Sequence, residues 1–302
     1  MVAPAPRLAA APPLHAPLPL LALVGGAIAM GISPIFVRFA EIGPFTSAFW
    51  RVALALPALW LWARLEPSPA ADIRPDTSAK LSILLAGLLF AGDLTFWHLA
   101  IMKTSVANAT FLATLAPVWV VLGSGLFLGE RVPRQIILGL GLCLLGAVAL
   151  IGGTLSVSPE HLAGDLYGVA TSVLFGAYFL AVRRARRTYG SGRALLLSSL
   201  VTALVLLVEA LVLESQIWPA TLLGVSALAG LALISHAGGQ GLLAFALGHL
   251  PAAFSALVIF LEAIAAAFFG WVFLSEALGF VQALGASAIF AGIAVARPRR
   301  PA

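Results

Sequence analysis

Of 302 residues, 61% are hydrophobic and only 10% are charged, and the mean hydropathy is +1.06. A soluble domain carries roughly a quarter charged residues, so a surface this poor in charge must face lipid. The pI near 10.1 does not indicate nucleic acid, because the basic residues flank apolar runs instead of interleaving with stacking aromatics. The single cysteine, Cys143, excludes an intramolecular disulfide framework and a multi-cysteine zinc site.

Met1 to Pro17 is rich in Ala and Pro, and it reads as a disordered cytoplasmic tail without a cleavage pattern. A hydrocarbon core about 30 Å thick needs roughly 20 apolar residues as helix, and that ruler predicts ten spans. They fall at 18–37, 44–63 (interrupted by Arg51), 81–102 (carrying Asp93 and His98), 105–129 and 135–155. After a polar linker at 156–165 come 166–182, 194–213 (with Glu209), about 220–247, 251–274 (with Glu262) and 278–296. The predicted organisation is therefore a tail at 1–17, a five-helix half at 18–155 and an outer linker at 156–165. A second half at 166–296 and a basic tail at 297–302 complete it.

With the N-terminus inside, fourteen Lys and Arg residues fall on inner segments and two, Arg38 and Lys103, on outer ones. The positive-inside rule thus predicts a multi-pass inner-membrane protein with both termini in the cytoplasm. An offset of 146 residues pairs Phe127-Leu128-Gly129-Glu130 with Phe273-Leu274-Ser275-Glu276, Gly139 with Gly285 and Gly146 with Gly292. Five spans per half is an odd number, so the second half is inverted. Inverted repeats recur in transporters, with the cargo site between the halves at mid-membrane. The predicted fold is all-α: two inverted five-helix repeats around a central cavity.

The stretches Leu99-Ala100-Ile101-Met102-Lys103-Thr104-Ser105-Val106-Ala107, Leu115-Ala116-Pro117-Val118 and Gly129-Glu130-Arg131-Val132 resemble the drug/metabolite transporter superfamily, specifically its EamA-type ten-span exporters. The second half repeats the pattern as Leu250-Pro251-Ala252-Ala253, Leu261-Glu262-Ala263 and Leu274-Ser275-Glu276-Ala277-Leu278. Ala263 stands where that pattern usually has proline, which leaves the kink of the ninth span open. Within the family the chain is most similar to the aromatic amino-acid exporter type. The resemblance implies export of amino acids or similar small metabolites, with the bilayer and a small molecule as partners and no cofactor.

Ionisable groups inside spans cost about 2.5–3.5 kcal/mol each on insertion scales, so they face a cavity or a partner. Arg51 is either a contact for a cargo carboxylate or half of an ion pair with Asp93 or Glu262. Trp97, four residues after Asp93, shares its helix face, so the two together suit an ammonium and its apolar side chain. His98 reads equally as a proton-sensitive gate or a packed histidine. Glu262 is a cavity or proton-coupling group unless it pairs with Arg51, and Glu209 reads as structural. Asn108 and Thr110 on the fourth span, and Ser235, His236 and Gln240 on the eighth, either bond a zwitterion or bridge helices. Trp50, Trp97, Trp119, Phe175, Tyr178 and Phe245 offer stacking surfaces or pack in the core, whereas Trp60, Trp62, Trp218 and Trp271 read as interface anchors.

Glu130 and Glu276 precede the fifth and tenth spans and are expected to cap them. Gly139-x3-Cys143 and Gly285-x3-Ile289 offer small-residue faces for packing, within the bundle or in a homodimer. Neither lysine follows a Walker-type glycine, and no H-E-x-x-H or G-x-S-x-G occurs, which disfavours ATP hydrolysis and a membrane-embedded enzyme. No pore-loop segment suggests a channel.

Overall fold

The computed structural model describes residues 17–67, 76–104, 106–151, 159–275 and 278–297, with the side chains at 106–108, 110 and 159 outside that description. The described regular structure is helical throughout and makes ten crossings. In chain order these are α1 (Pro17–Phe39), α2 (Pro44–Leu65), α3 (Thr77–Lys103) and α4 (Val106–Ala113 continued by Ala116–Leu128). They continue with α5 (Arg134–Ile151), α6 (Leu162–Ala185), α7 (Ser191–Leu213), α8 (Leu222–Leu247), α9 (Ala252–Leu274) and α10 (Phe280–Ala296). The last has 17 residues, which at about 1.5 Å per residue still crosses roughly 25 Å of hydrocarbon.

The sixth helix begins at Leu162, four residues before the expected start, and takes Asp165 into its first turn. Asp165 Oδ1 accepts a bond from Thr104 Oγ1 at 2.7 Å, and a carboxylate in a first turn complements the helix dipole. The charge that marked a loop in the sequence is thus tolerated inside a helix. The N-terminal tail, Glu276 and most of the basic C-terminal tail lie outside the described residues.

Four helices break along their length. Breaks at Ile32, at Leu54–Ala55 and at Thr114–Leu115 each lie two or three residues before Pro34, Pro57 and Pro117. Proline lacks an N–H and its ring collides with the carbonyl four residues earlier, so the helix must open there. The fourth break, at Ile259 in α9, has no proline near it. It occupies the sequence counterpart of residue 113, so the kink that Ala263 left open is present. The chain turns there through tighter bonds such as Glu262 N–H to the Ile259 carbonyl, 2.8 Å.

The repeat is visible in two helix pairs, each made of counterparts. Helices α5 and α10 pack antiparallel through glycine. A Cβ on Gly139 would meet the Gly292 carbonyl at 2.5 Å, and one on Gly285 would meet the Gly146 carbonyl at 2.6 Å. Under the 146-residue offset, the first contact maps onto the second. Cys143 and its counterpart Ile289 touch between them, Sγ to carbonyl oxygen 3.7 Å, so the pseudo-two-fold axis passes here. The small-residue faces are therefore used inside the bundle.

Helices α2 and α7 form another self-pair, and each caps its partner. Glu214, at the end of α7, accepts from the N–H groups of Phe45 (2.8 Å) and Thr46 (3.0 Å) at the start of α2. At the opposite face Glu66, at the end of α2, accepts from Ser191 and, at 3.1 Å, from Gly192 at the start of α7. Helix N-termini carry unsatisfied donors and positive dipole ends, and a carboxylate meets both needs. Gly43 and Gly190 stand at the two N-caps because a Cβ on either would run into the capping carboxylate. Trp62, expected at the membrane interface, instead wedges between helices, against the positions a Cβ would take on Gly192 and Gly241.

These bonds define two faces of the bundle. One carries Glu66, Glu130 and the α6 arginines; the other carries Glu41, Thr104, Glu214 and Thr221.

Candidate functional site

A cavity of about 180 Å³ lies between the two repeats. Its walls come from α1 (Met30, Ser33, Pro34), α2 (Arg51), α3 (Phe90, Asp93, Trp97) and α4 (Thr114, Pro117). Helix α6 adds Thr171 and Phe175, α8 adds Gln240, and α9 adds Phe260 and Glu262. Three of the four helix breaks, in α1, α4 and α9, supply lining residues beside them. Broken helices free backbone groups, which membrane proteins tolerate where they border a cavity or protein. On α1, α2, α3 and α4 the lining residues fall mostly in the halves nearer the face of Glu41 and Glu214, whereas Gln240 on α8 and Phe260 and Glu262 on α9 fall in the halves nearer the arginine face. The cavity therefore lies near the middle of the bundle, and at the arginine face the helix ends are tied together beyond it.

Arg51, Asp93 and Glu262 bring one cation and two carboxyl groups to this space. The alternative in which Arg51 is half of an ion pair is not realised: among the described residues it bonds to neither carboxyl group, and its Nε has no partner. Its guanidinium instead lies 5.9 Å from the centroid of Phe90, within the range of a cation–π contact. Asp93 is buried and Trp97 is beside it on the same wall, as their spacing implies.

Gln240 presents its amide to the cavity while its Oε1 accepts from Tyr178 Oη, 3.1 Å. Helix α8 reaches this point as a π-helix from Leu231 to Gln240, a wide geometry that recurs at functional sites. Behind the lining, rings stack in a column: His236 on Phe90 (centroids 5.6 Å apart), Phe90 on Tyr178 (4.8 Å) and Tyr178 on Phe175 (5.8 Å).

Of the residues singled out in the sequence, the structure brings Arg51, Asp93, Trp97, Phe175, Gln240 and Glu262 to the cavity. Trp50, His98, Trp119, Tyr178 and His236 stand behind it. Trp50 Nε1 donates to the Ile217 carbonyl (2.7 Å) and Trp119 Nε1 to Ser172 Oγ (2.9 Å). His98 Nδ1 bonds the Leu94 carbonyl at 2.7 Å, and His236 Nε2 meets Ser199 Oγ at 2.9 Å. The side chain of Asn108 lies outside the described residues. Glu209 takes the structural role expected of it, accepting from Thr95 Oγ1 across α3 and α7.

Phe90, Thr114, Thr171 and Phe260 line the cavity without having been singled out. Phe90 and Thr171 had a usable signal, lying three residues before Asp93 and four before Phe175, which places each pair on one helix face. Among the described residues no group of three or more His, Cys, Asp or Glu side chains could hold a metal ion.

Glu130 departs from its expected role. It does not cap α5; its Oε2 accepts from Ala252 N–H at the start of α9, 2.8 Å, and its Oε1 accepts from Arg183 Nε, 2.8 Å. The carboxylate reaches the donors of the helix that packs beside it rather than those of the helix that follows it.

The chain is 28% identical over 228 residues to the pseudopaline exporter of two strains of Pseudomonas aeruginosa, covering 76% of this chain and 77% of the relative. It is 34% identical over 153 residues to an uncharacterized transporter of Archaeoglobus fulgidus, across 48% of this chain and 50% of that one. A solved crystal structure superposes with a TM-score of 0.80 over 92% of this chain and 96% of the other at 19% identity, which speaks to the fold alone. The model of the EamA-like transporter family matches twice, over residues 17–152 and 162–297. With both matches spanning the membrane helices of each half, this chain belongs to the EamA-like transporter family.

Proposed function

We propose that this transporter exports small amino-acid-type metabolites, neutral and aromatic ones foremost, from the cytoplasm across the bacterial inner membrane. The observation that carries the reading is the half-buried guanidinium of Arg51, whose Nε has no hydrogen-bond partner among the described residues, sharing one aromatic-walled cavity with Asp93 and Glu262. A cation without a bonded partner in such a space is costly, and a cargo carboxylate relieves that cost. Asp93 and Glu262 suit the cargo's ammonium, and Trp97, Phe90 and Phe175 suit its side chain. A cavity of about 150 Å³ admits a benzene-sized ring, so 180 Å³ suits a small metabolite.

The pseudo-two-fold arrangement supports alternating access, since two exchangeable halves give two states of similar energy. The distribution of arginine and lysine supports an orientation with both termini inside, which puts the tied arginine face on the cytoplasmic side. Transport then runs either down the cargo gradient or in exchange for protons carried by Asp93 or Glu262. Similarity to a pseudopaline exporter favours a second reading, in which the cargo is pseudopaline itself rather than a free amino acid.

Counterflow in proteoliposomes with radiolabelled amino acids, nucleosides and pseudopaline tests both. Uptake of aromatic amino acids supports the first reading, and uptake of pseudopaline alone replaces it with the second. If flux ignores an imposed pH gradient, proton exchange is ruled out.

A further inference from the structure

We infer that Glu130 and Arg183 form the gate that holds the cavity shut towards the arginine face, and that breaking their contact exposes the cavity on that side. The inference concerns the transport cycle and is independent of which cargo the cavity takes.

Positive-inside topology needs arginines near the membrane, but it does not need them bonded. Here three arginines at and just beyond the end of α6 are built into the packing. Arg183 Nε donates to Glu130 Oε1 (2.8 Å) and its Nη1 donates to the Leu247 carbonyl (2.6 Å). Arg186 Nε donates to the Ala244 carbonyl and Arg187 Nη2 to the Leu128 carbonyl, each at 2.8 Å. Leu128 ends α4 and Leu247 ends α8, so the cations sit on the negative ends of two helix dipoles. Glu130 completes the set by accepting from the first N–H of α9.

The four helices tied together, α4, α6, α8 and α9, are the ones that bring Thr114, Phe175, Gln240 and Glu262 to the cavity. From the lining residue Phe175 to Arg183 is eight residues, or about 12 Å along α6, so the ties stand beyond the cavity towards the arginine face. They join wall helices from both repeats. In an inverted-repeat exchange these helices must part at this end when the cavity opens here, and every tie must then break. Arg183–Glu130 is the central one because, among the described residues, Glu130 bonds both the α6 side chain and the start of α9.

The test uses a full-length chain with Cys143→Ser and a single reporter, Thr114→Cys, in oriented membrane vesicles treated with an impermeant maleimide from either side. Glu130→Gln and Arg183→Gln are expected to raise labelling from the arginine face by about tenfold relative to labelling from the opposite face, as a shifted two-state population requires. Glu214→Gln, which weakens a cap at the opposite face, is expected not to raise that ratio. Labelling from the opposite face of the unaltered chain fixes the starting state, and retained total labelling in the variants shows that they are folded. An unchanged ratio in both Glu130→Gln and Arg183→Gln overturns the gate. So does an equal rise in Glu214→Gln, which marks general loosening. Should the Gln variants fail to accumulate, Arg183→Lys keeps the charge while losing the fork, and it is expected to give an intermediate ratio; a ratio equal to the unaltered chain's overturns the proposal.

Discussion

Arg183 and Arg51 are both arginines partly buried in helices, and they meet opposite conditions. Arg183 has a carboxylate at 2.8 Å and a carbonyl at 2.6 Å; Arg51 has an orphaned Nε and an aromatic face. At the closed end, charges fall on helix termini that supply matching partial charges. At the cavity, one cation and two carboxyl groups share a space without touching. The difference separates charge that holds a structure from charge held ready for something absent. Burial of an unpaired ion is unfavourable, so it persists only where function requires it.

That contrast can be broken from the structural side first. The α5–α10 seam holds both regions in register, and its glycines face backbone carbonyls that cannot yield. Gly146→Val is therefore expected to have the largest effect, on the order of 3 kcal/mol by overpacking, seen as loss of folded protein in detergent. A variant that folds and melts like the parent would show that the seam is loose. Arg183→Met should come next, lowering stability by about 2 kcal/mol through loss of charge-assisted bonds, measured as a fall in Tm. Glu66→Gln and Glu214→Gln each weaken a cap and should cost about 1 kcal/mol. Because the two caps are counterparts, the two losses should agree; a twofold disparity would argue that the halves are not mechanically equivalent. The smallest stability effect belongs to Trp97→Leu, within about 0.5 kcal/mol. Its signature is instead a changed ranking of aromatic over aliphatic cargo in counterflow.

Much of this architecture is legible in the residues. The hydrophobic runs give the ten crossings, because each needs only a local count against bilayer thickness. The repeated glycines give the α5–α10 seam, whose contacts obey the same offset seen in sequence. The cavity is half legible: Asp93 and Trp97 follow from spacing on one helix, and the rarity of charge singles out Arg51 and Glu262. His98 and His236 carry the same chemical suggestion, yet they face Phe45, Trp97, Phe90 and Ser199 behind the wall. Which way a ring points depends on helix rotation, and near-uniform apolarity leaves no moment to set it. The cross-caps were invisible for a different reason. Glu66 meets α7 across 125 residues of chain and Glu130 meets α9 across 122, and no local pattern encodes such a meeting. The π segment of α8 is likewise a consequence of packing rather than of its own sequence.

The most direct test of this account is the pairing of transport with stability in Arg51→Met. Replacing a half-buried cation that bonds neither carboxyl group by an apolar side chain of similar length removes its desolvation cost without breaking a hydrogen bond. The account therefore predicts counterflow reduced by at least about tenfold, the loss expected for one charged hydrogen bond, in a protein whose Tm is unchanged or raised. A variant that transports normally, or that loses stability as Arg183→Met does, would contradict it.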